Sequence, residues 1–186
     1  MTEIDALEHA WKYGAELLTG PALLAEDLQR PTPCAAWDVR TLLNHLLGES
    51  TMQSDVNRGL PSRAEQGDVI GDRDVAAAWA AVAEDNVVSW RRSGVEGDRT
   101  YFYGTFPAAA ALAINIGEVV VHSWDLATAL NRAVNIDPEH AAIAYDLWSS
   151  ASLDDLRAAG QLGPEVPIPQ DAPVLDRLLG LLGRRP

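Results

Sequence analysis

At 186 residues, 47% hydrophobic and 22% charged, the chain has the composition of a folded globular protein and not of a disordered one. Its formal net charge of −13 repels phosphate backbones and anionic bilayers, which sets aside nucleic acid and membrane surfaces as partners and leaves a small molecule. The one cysteine, Cys34, rules out an internal disulfide and any multi-cysteine zinc or iron–sulfur site, and a reducing cytoplasm is the expected compartment.

Glu3, Asp5 and Glu8 stand where a secretory leader needs basic and then apolar residues, so no targeting segment is expected. Thr2 can cap a first helix on which Ile4, Leu7, Trp11, Gly14 and Leu18 recur at three- and four-residue steps, a bundle seam. His9 falls off that seam and reads as a solvated surface histidine. Gly20-Pro21 breaks or bends the helix before a short helical turn around Leu23 to Leu28. Pro31 and Pro33 then force Pro31 to Ala36 into a turn, since each removes a donor and pushes its predecessor into extended geometry.

Asp38 is a natural N-cap for a second helix from Val39, where Val39, Leu42, Leu43, Leu46 and Leu47 form a wide apolar stripe. His45 sits inside that stripe with Glu49 one turn beyond. Gly59, Pro61, Gly67 and Gly71 make 51–73 read as the fraying end of this helix and an exposed loop. Asp74 caps a third helix through Val75, Trp79, Val82 and Trp90, with Arg91 and Arg92 at its negative end and Gly94 to stop it. The aromatic run from Arg99 to Pro107, broken by Gly104, predicts a short extended hairpin.

From Ala108 a long helix runs to about Leu130. Asn115, Glu118 and His122 interrupt its apolar stretch, and a charge at a bilayer centre costs roughly 3 kcal/mol, so it is not read as a membrane span. Asp137-Pro138 starts a fifth helix through Ala144, Leu147, Trp148 and Ala151. Gly160 to Pro173 is proline-rich and extended, and Asp171 or a neighbour caps a last short helix around Leu175 to Leu182. The expected organisation is one domain over 1–186, with 160–186 as a strap.

The chemistry concentrates in Gly117 to Ala127. If that run is helical, Glu118, His122 and Asp125 share one face of a helix that is otherwise apolar nearly all round. A buried carboxylate or imidazole must be paired, hydrogen-bonded or bound to a metal. Helical bundles build metal sites from an i, i+4 pair on one helix and a residue from another, so Glu118, His122 and His45 are the candidate ligands. Two histidines and one carboxylate leave positions for water and substrate, and suit Zn²⁺, Ni²⁺ or Fe²⁺ without choosing among them. Asp125 could orient an imidazole or serve as an alternate ligand. From the residues alone, a hydrogen-bonded Glu118–His122 pair with an unrelated His45 stays open. Cys34 reads as a structural thiol, and no G-x-S-x-G elbow, Walker loop or dinucleotide fingerprint occurs.

Thr32-Pro33-Cys34-Ala35-Ala36-Trp37-Asp38-Val39-Arg40, then Leu43-Asn44-His45-Leu46, together with Val121-His122-Ser123-Trp124-Asp125-Leu126-Ala127, resemble the actinobacterial metal-binding proteins related to the N-terminal domain of mycothiol-dependent maleylpyruvate isomerase, within the DinB-like superfamily. Leu162 to Pro167 and Asp176-Arg177-Leu178-Leu179 are also similar to this group. The resemblance implies an all-α, DinB-like four-helix bundle with a short extended hairpin and additional C-terminal helices. It implies a divalent metal held by His45, Glu118 and His122, and mycothiol as the thiol cofactor. The isomerase carries a further C-terminal domain that this chain is too short to match, so the maleylpyruvate reaction itself is not carried over. The expectation is a cytoplasmic metal-binding bundle acting as a metal-dependent thiol transferase or isomerase on a small molecule. A non-catalytic metal- or ligand-binding module is the alternative, and a structural bundle that dimerises through exposed helix faces is a third.

Overall fold

The computed structural model describes residues 2–19, 23–34, 37–63 and 67–186. Seven helices and one two-stranded hairpin follow in order among them: α1 (Glu3–Leu18), α2 (Val39–Asn57), α3 (Val75–Ser93), β1 (Asp98–Tyr101), β2 (Gly104–Pro107), α4 (Ala108–Ala129), α5 (Pro138–Ser149), α6 (Asp154–Ala158) and α7 (Val174–Leu181). The helix around Leu23 to Leu28 is a single 3-10 turn, Asp27–Gln29. The expected break at Gly20-Pro21, and Ala35-Ala36 of the proline turn, lie outside the described residues.

Local chemistry sets the helix starts. Thr2 and Asp5 form a reciprocal capping box at α1, and the Asp38, Asp74 and Asp137 side chains accept backbone N–H groups at the starts of α2, α3 and α5. Asp171 does not cap α7, which begins after Pro173 without a side-chain cap. The described helix α2 also runs past Thr51 to Asn57. The glycines and prolines of the following loop begin only at Gly59, and Met52, Gln53 and Ser54 are buried, so tertiary packing holds the last turns helical.

Helices α1 and α2 each pack against both α3 and α4, which closes a four-helix ring, while α5 packs on α4 and α7 on α5. Apolar side chains fill the ring, among them Leu7, Leu42, Leu46, Trp79, Trp90, Leu112, Ile116 and Leu126. Through this core runs a polar belt. Trp11 Nε1 donates to Asn86 Oδ1 at 3.2 Å, Trp90 Nε1 to Asn115 Oδ1 at 2.9 Å, and Asn86 Nδ2 to the Ser50 carbonyl at 3.1 Å. One residue or more from each of the four helices is thereby tied at a fixed height, because a buried polar atom without its partner costs about 1–3 kcal/mol. The antiparallel hairpin pairs Asp98 with Pro107 and Tyr101 with Gly104, and packs against α2 and α4. No helix among the described residues is long and apolar enough to cross a membrane.

Candidate metal centre

The ring brings α2 beside α4, and with them the three residues singled out from sequence. His45 Nε2 stands 3.1 Å from Glu118 Oε2, and His122 Nε2 stands 3.2 Å from the same oxygen. Among the described residues these are the one set of three His, Cys, Asp or Glu side chains whose ligating atoms all lie within 4.8 Å of one another. The i, i+4 spacing puts Glu118 above His122 on one face of α4, and His45 reaches across from α2. The set grades in depth: His45 is 32% exposed, Glu118 25% and His122 6%. One side of the triad therefore meets solvent while the other is anchored in the core.

The anchor is Asp125, one turn beyond His122 and fully buried. The His122 Nδ1–H donates to Asp125 Oδ2 at 3.0 Å, which leaves Nε2 as the nitrogen turned toward Glu118. Asp125 is in turn held by Arg184, whose Nη2 and Nε donate to its two oxygens at 2.9 and 3.3 Å. The remaining Arg184 group, Nη1, donates to the Leu182 carbonyl at 2.9 Å. Sequence reasoning placed Asp125 beside an imidazole but missed Arg184. The usable signal was electrostatic: a carboxylate on the buried face of α4 needs a cation, and a charged residue in the carboxy-terminal tail, 59 positions away, supplies it.

Burial pushes the Glu118 carboxyl up, but its hydrogen bonds to His122 and His45 outweigh that and hold it well below the usual carboxylate range. Burial would likewise lower His122, yet Asp125 and Glu118 on either side of the ring raise it to about 9. For Asp125, burial is overcome by the His122 hydrogen bond and the Arg184 charge, and its carboxyl stays low. Two imidazoles converging on one carboxylate oxygen are held together by protons or by a metal cation. The donor set, two neutral-capable imidazole nitrogens and a carboxylate oxygen, fits a divalent transition ion.

The walls are aromatic and acidic. The Trp37 ring lies 4.6 Å from His45 and 5.8 Å from His122, centroid to centroid. Glu49, half-buried one turn along α2, feels burial and the Glu118 charge, which push its carboxyl up against the pull of His45. Cys34, in the turn before Trp37, has its thiol pushed up to about 11, by burial first and with Asp125 and Glu118 adding to it against Arg184. The turn thus lies within electrostatic reach of the centre, although Cys34 is held as a thiol. His9, expected at the surface, is exposed there and stacks on His140 at 6.1 Å, remote from the metal candidates in sequence and on different helices.

The sequence model of the mycothiol maleylpyruvate isomerase N-terminal domain matches residues 7–127, a span that contains His45, Glu118, His122 and Asp125. Two uncharacterized proteins of Mycobacterium tuberculosis, one in strain CDC 1551 and one in strain H37Rv, are each 29% identical over 161 residues, covering 86% of this chain and 86% of their own. No solved structure matches. With about two thirds of its length matched by one domain model, the chain belongs to the mycothiol maleylpyruvate isomerase N-terminal domain family.

Proposed function

We propose that the protein binds one divalent metal ion through His45 Nε2, Glu118 and His122 Nε2 and uses it in a thiol-dependent transfer or isomerisation. The observation that carries this reading is the convergence of three ligating atoms within 4.8 Å at a partly open edge of the bundle. The family membership supports mycothiol as the thiol, and the donor set of two imidazoles and one carboxylate suits Zn²⁺, Ni²⁺ or Fe²⁺ as the ion.

Bound there, a divalent ion supplies Lewis acidity and favours a thiolate over a thiol at neutral pH. The chain's own residues perform the rest. Asp125 keeps the His122 proton on Nδ1 and so presents the Nε2 lone pair. Arg184 fixes Asp125 and neutralises it in the core. Trp37 covers both imidazoles on one side and keeps bulk water from that face. Cys34, its thiol pushed up to about 11 chiefly by burial, is a poor nucleophile at neutral pH, and this reading assigns the reacting thiol to a small molecule.

Elemental analysis of protein purified without a histidine tag tests the metal. One equivalent in the native chain and its loss in His45→Ala and His122→Ala variants is the expected result. Absence of stoichiometric metal, unchanged by either substitution, overturns the reading. With metal present, turnover of a thiol and electrophile panel separates an enzyme from a non-catalytic metal-binding module.

A further inference from the structure

The two imidazoles of the centre are held in different ways. The His122 ring is fixed from behind by the hydrogen bond from its Nδ1 to Asp125 at 3.0 Å. The His45 ring makes one hydrogen bond among the described residues, between Nε2 and Glu118 at 3.1 Å, and none on its Nδ1 side. With His45 32% exposed, water can satisfy that Nδ1, but water does not fix the ring. The terminal torsion of a histidine is broad and close to two-fold, and turning the ring over would aim a carbon at Glu118 in place of Nε2. Another contact has to choose the orientation.

That contact is aromatic. The half-buried Trp37 ring lies 4.6 Å from the His45 ring at 50° between planes, and the His122 ring meets His45 edge-on at 5.2 Å and 82°. Trp37 and His122 are 5.8 Å apart, so the three rings close a triangle in which His45 is gripped on two sides. Trp37 is itself fastened. The Thr32 hydroxyl lies 3.0 Å from the Trp37 carbonyl and 3.1 Å from that of Cys34, and accepts the Cys34 N–H at 3.2 Å. The Thr32 N–H donates to the Trp37 carbonyl at 3.0 Å, and the Trp37 N–H to the Cys34 carbonyl at 3.1 Å. The turn is then closed onto α2 by the Val39 N–H, which donates to the Arg30 carbonyl at 3.0 Å.

We propose that Trp37, braced by the Thr32 hydroxyl, is the positioning residue for His45: its ring keeps Nε2 of that imidazole turned to the metal position, as Asp125 does for His122. The inference rests on the metal reading above and extends the machinery of the site to the turn before α2. One ligand is thus oriented by a hydrogen bond and the other by ring packing.

The test uses the full chain titrated with Zn²⁺ against a competing chelator, with long-range proton–nitrogen NMR of the histidine rings to identify the metal-bound nitrogen of each. In the native protein both His45 and His122 should bind through Nε2. Trp37→Leu keeps apolar bulk and removes the flat face. Zinc affinity should then fall about tenfold, and the His45 Nε2 signal should lose its metal-bound position while that of His122 stays. Trp37→Phe restores a flat ring and should return the affinity to within about threefold of native, with the His45 signal back in place. Thr32→Val keeps every ring and removes the brace, and should cost about threefold with the same change confined to His45. Native affinity and an unmoved His45 signal in Trp37→Leu overturn the proposal. Equal losses at His45 and His122, the mark of a general packing defect, also overturn it, as does a Trp37→Phe protein no better than Trp37→Leu. An unchanged Thr32→Val protein overturns the part given to Thr32. No metal-bound nitrogen on either histidine of the native protein overturns the metal reading and this inference with it.

Discussion

Replacing Arg184 with methionine removes the cation that faces Asp125 while keeping most of the side chain's volume. Asp125 is fully buried and Arg184 only 6% exposed, so water cannot take over the lost bonds. Breaking a buried pair from one side costs about 3–5 kcal/mol, because an uncompensated charge is left inside. His122 still donates to Asp125 at 3.0 Å, which puts the expected loss toward the lower end of that range. With an m-value of about 2 kcal/mol/M, the urea midpoint should fall by roughly 1.5 M. Arg185→Met is the control: Arg185 is exposed, and its removal should change stability by no more than about 0.5 kcal/mol. Adding Asp125→Asn to Arg184→Met should recover part of the loss, with a coupling of about 1–3 kcal/mol, since the stranded charge is gone. A loss below about 1 kcal/mol for Arg184→Met, or strict additivity in the double variant, would refute the claim that this pair is a closed, water-free contact.

Three further outcomes follow from other parts of the fold. Gly14→Ala should destabilise by about 1–3 kcal/mol in thermal or urea unfolding despite alanine's better helix propensity, because a Cβ there would meet the Trp79 ring at 2.0 Å; the Trp79 indole is pinned by its bond to the Trp11 carbonyl at 3.1 Å. Cys34, its thiol raised to about 11, should react with iodoacetamide at pH 7.5 about a hundredfold more slowly than free cysteine, rising about tenfold per pH unit up to pH 10; rapid labelling at neutral pH would contradict its burial. His140 is pushed down by burial, with Asp137 and Glu139 opposing and His9 adding to the fall, so the unfolded chain takes up a proton near pH 6.5 before the folded one does. Its contribution is therefore complete above about pH 6.5 and lost as pH drops below it, at up to 1.36 kcal/mol per unit, and the native minus His140→Gln stability difference should shrink on acidification.

The bundle was legible in the sequence wherever one local rule decided the outcome. Asp38, Asp74 and Asp137 announce helix starts through cap chemistry, and the aromatic run broken by Gly104 announces the hairpin. His45, Glu118 and His122 could be singled out as candidates because an ionisable group in an apolar stripe is costly unless partnered, and the i, i+4 spacing names the face that Glu118 and His122 share. What local rules could not reach depends on tertiary contact. The last turns of α2 are polar, Gln53 and Ser54 among them, and stay helical because α3 and α4 pack on them; Ser54 and Ser50 share the Asn86 amide. Arg184 reads as a tail charge until Asp125 is known to be buried.

The position of Arg184 gives the carboxy-terminal segment a structural reason. The family match ends at residue 127, so it contains the triad and Asp125 but not the cation that holds Asp125 in place. Delivering that cation takes a sequence of contacts: α5 packs on α4, α7 packs on α5, and Val166 of the extended strap donates its N–H to the Gly180 carbonyl at 2.9 Å. The chain then turns at Gly183, whose φ of +86° is left-handed and where a Cβ would meet the Gly163 backbone at 2.9 Å. That turn brings Arg184 back to α4. A side chain at residue 183 would move Arg184 without touching any ligand candidate, and the effect would pass through Asp125 to the orientation of His122. The tail is thus coupled to the metal candidates through one buried carboxylate, and the strap and α7 belong to the machinery of the site as much as α2 and α4 do.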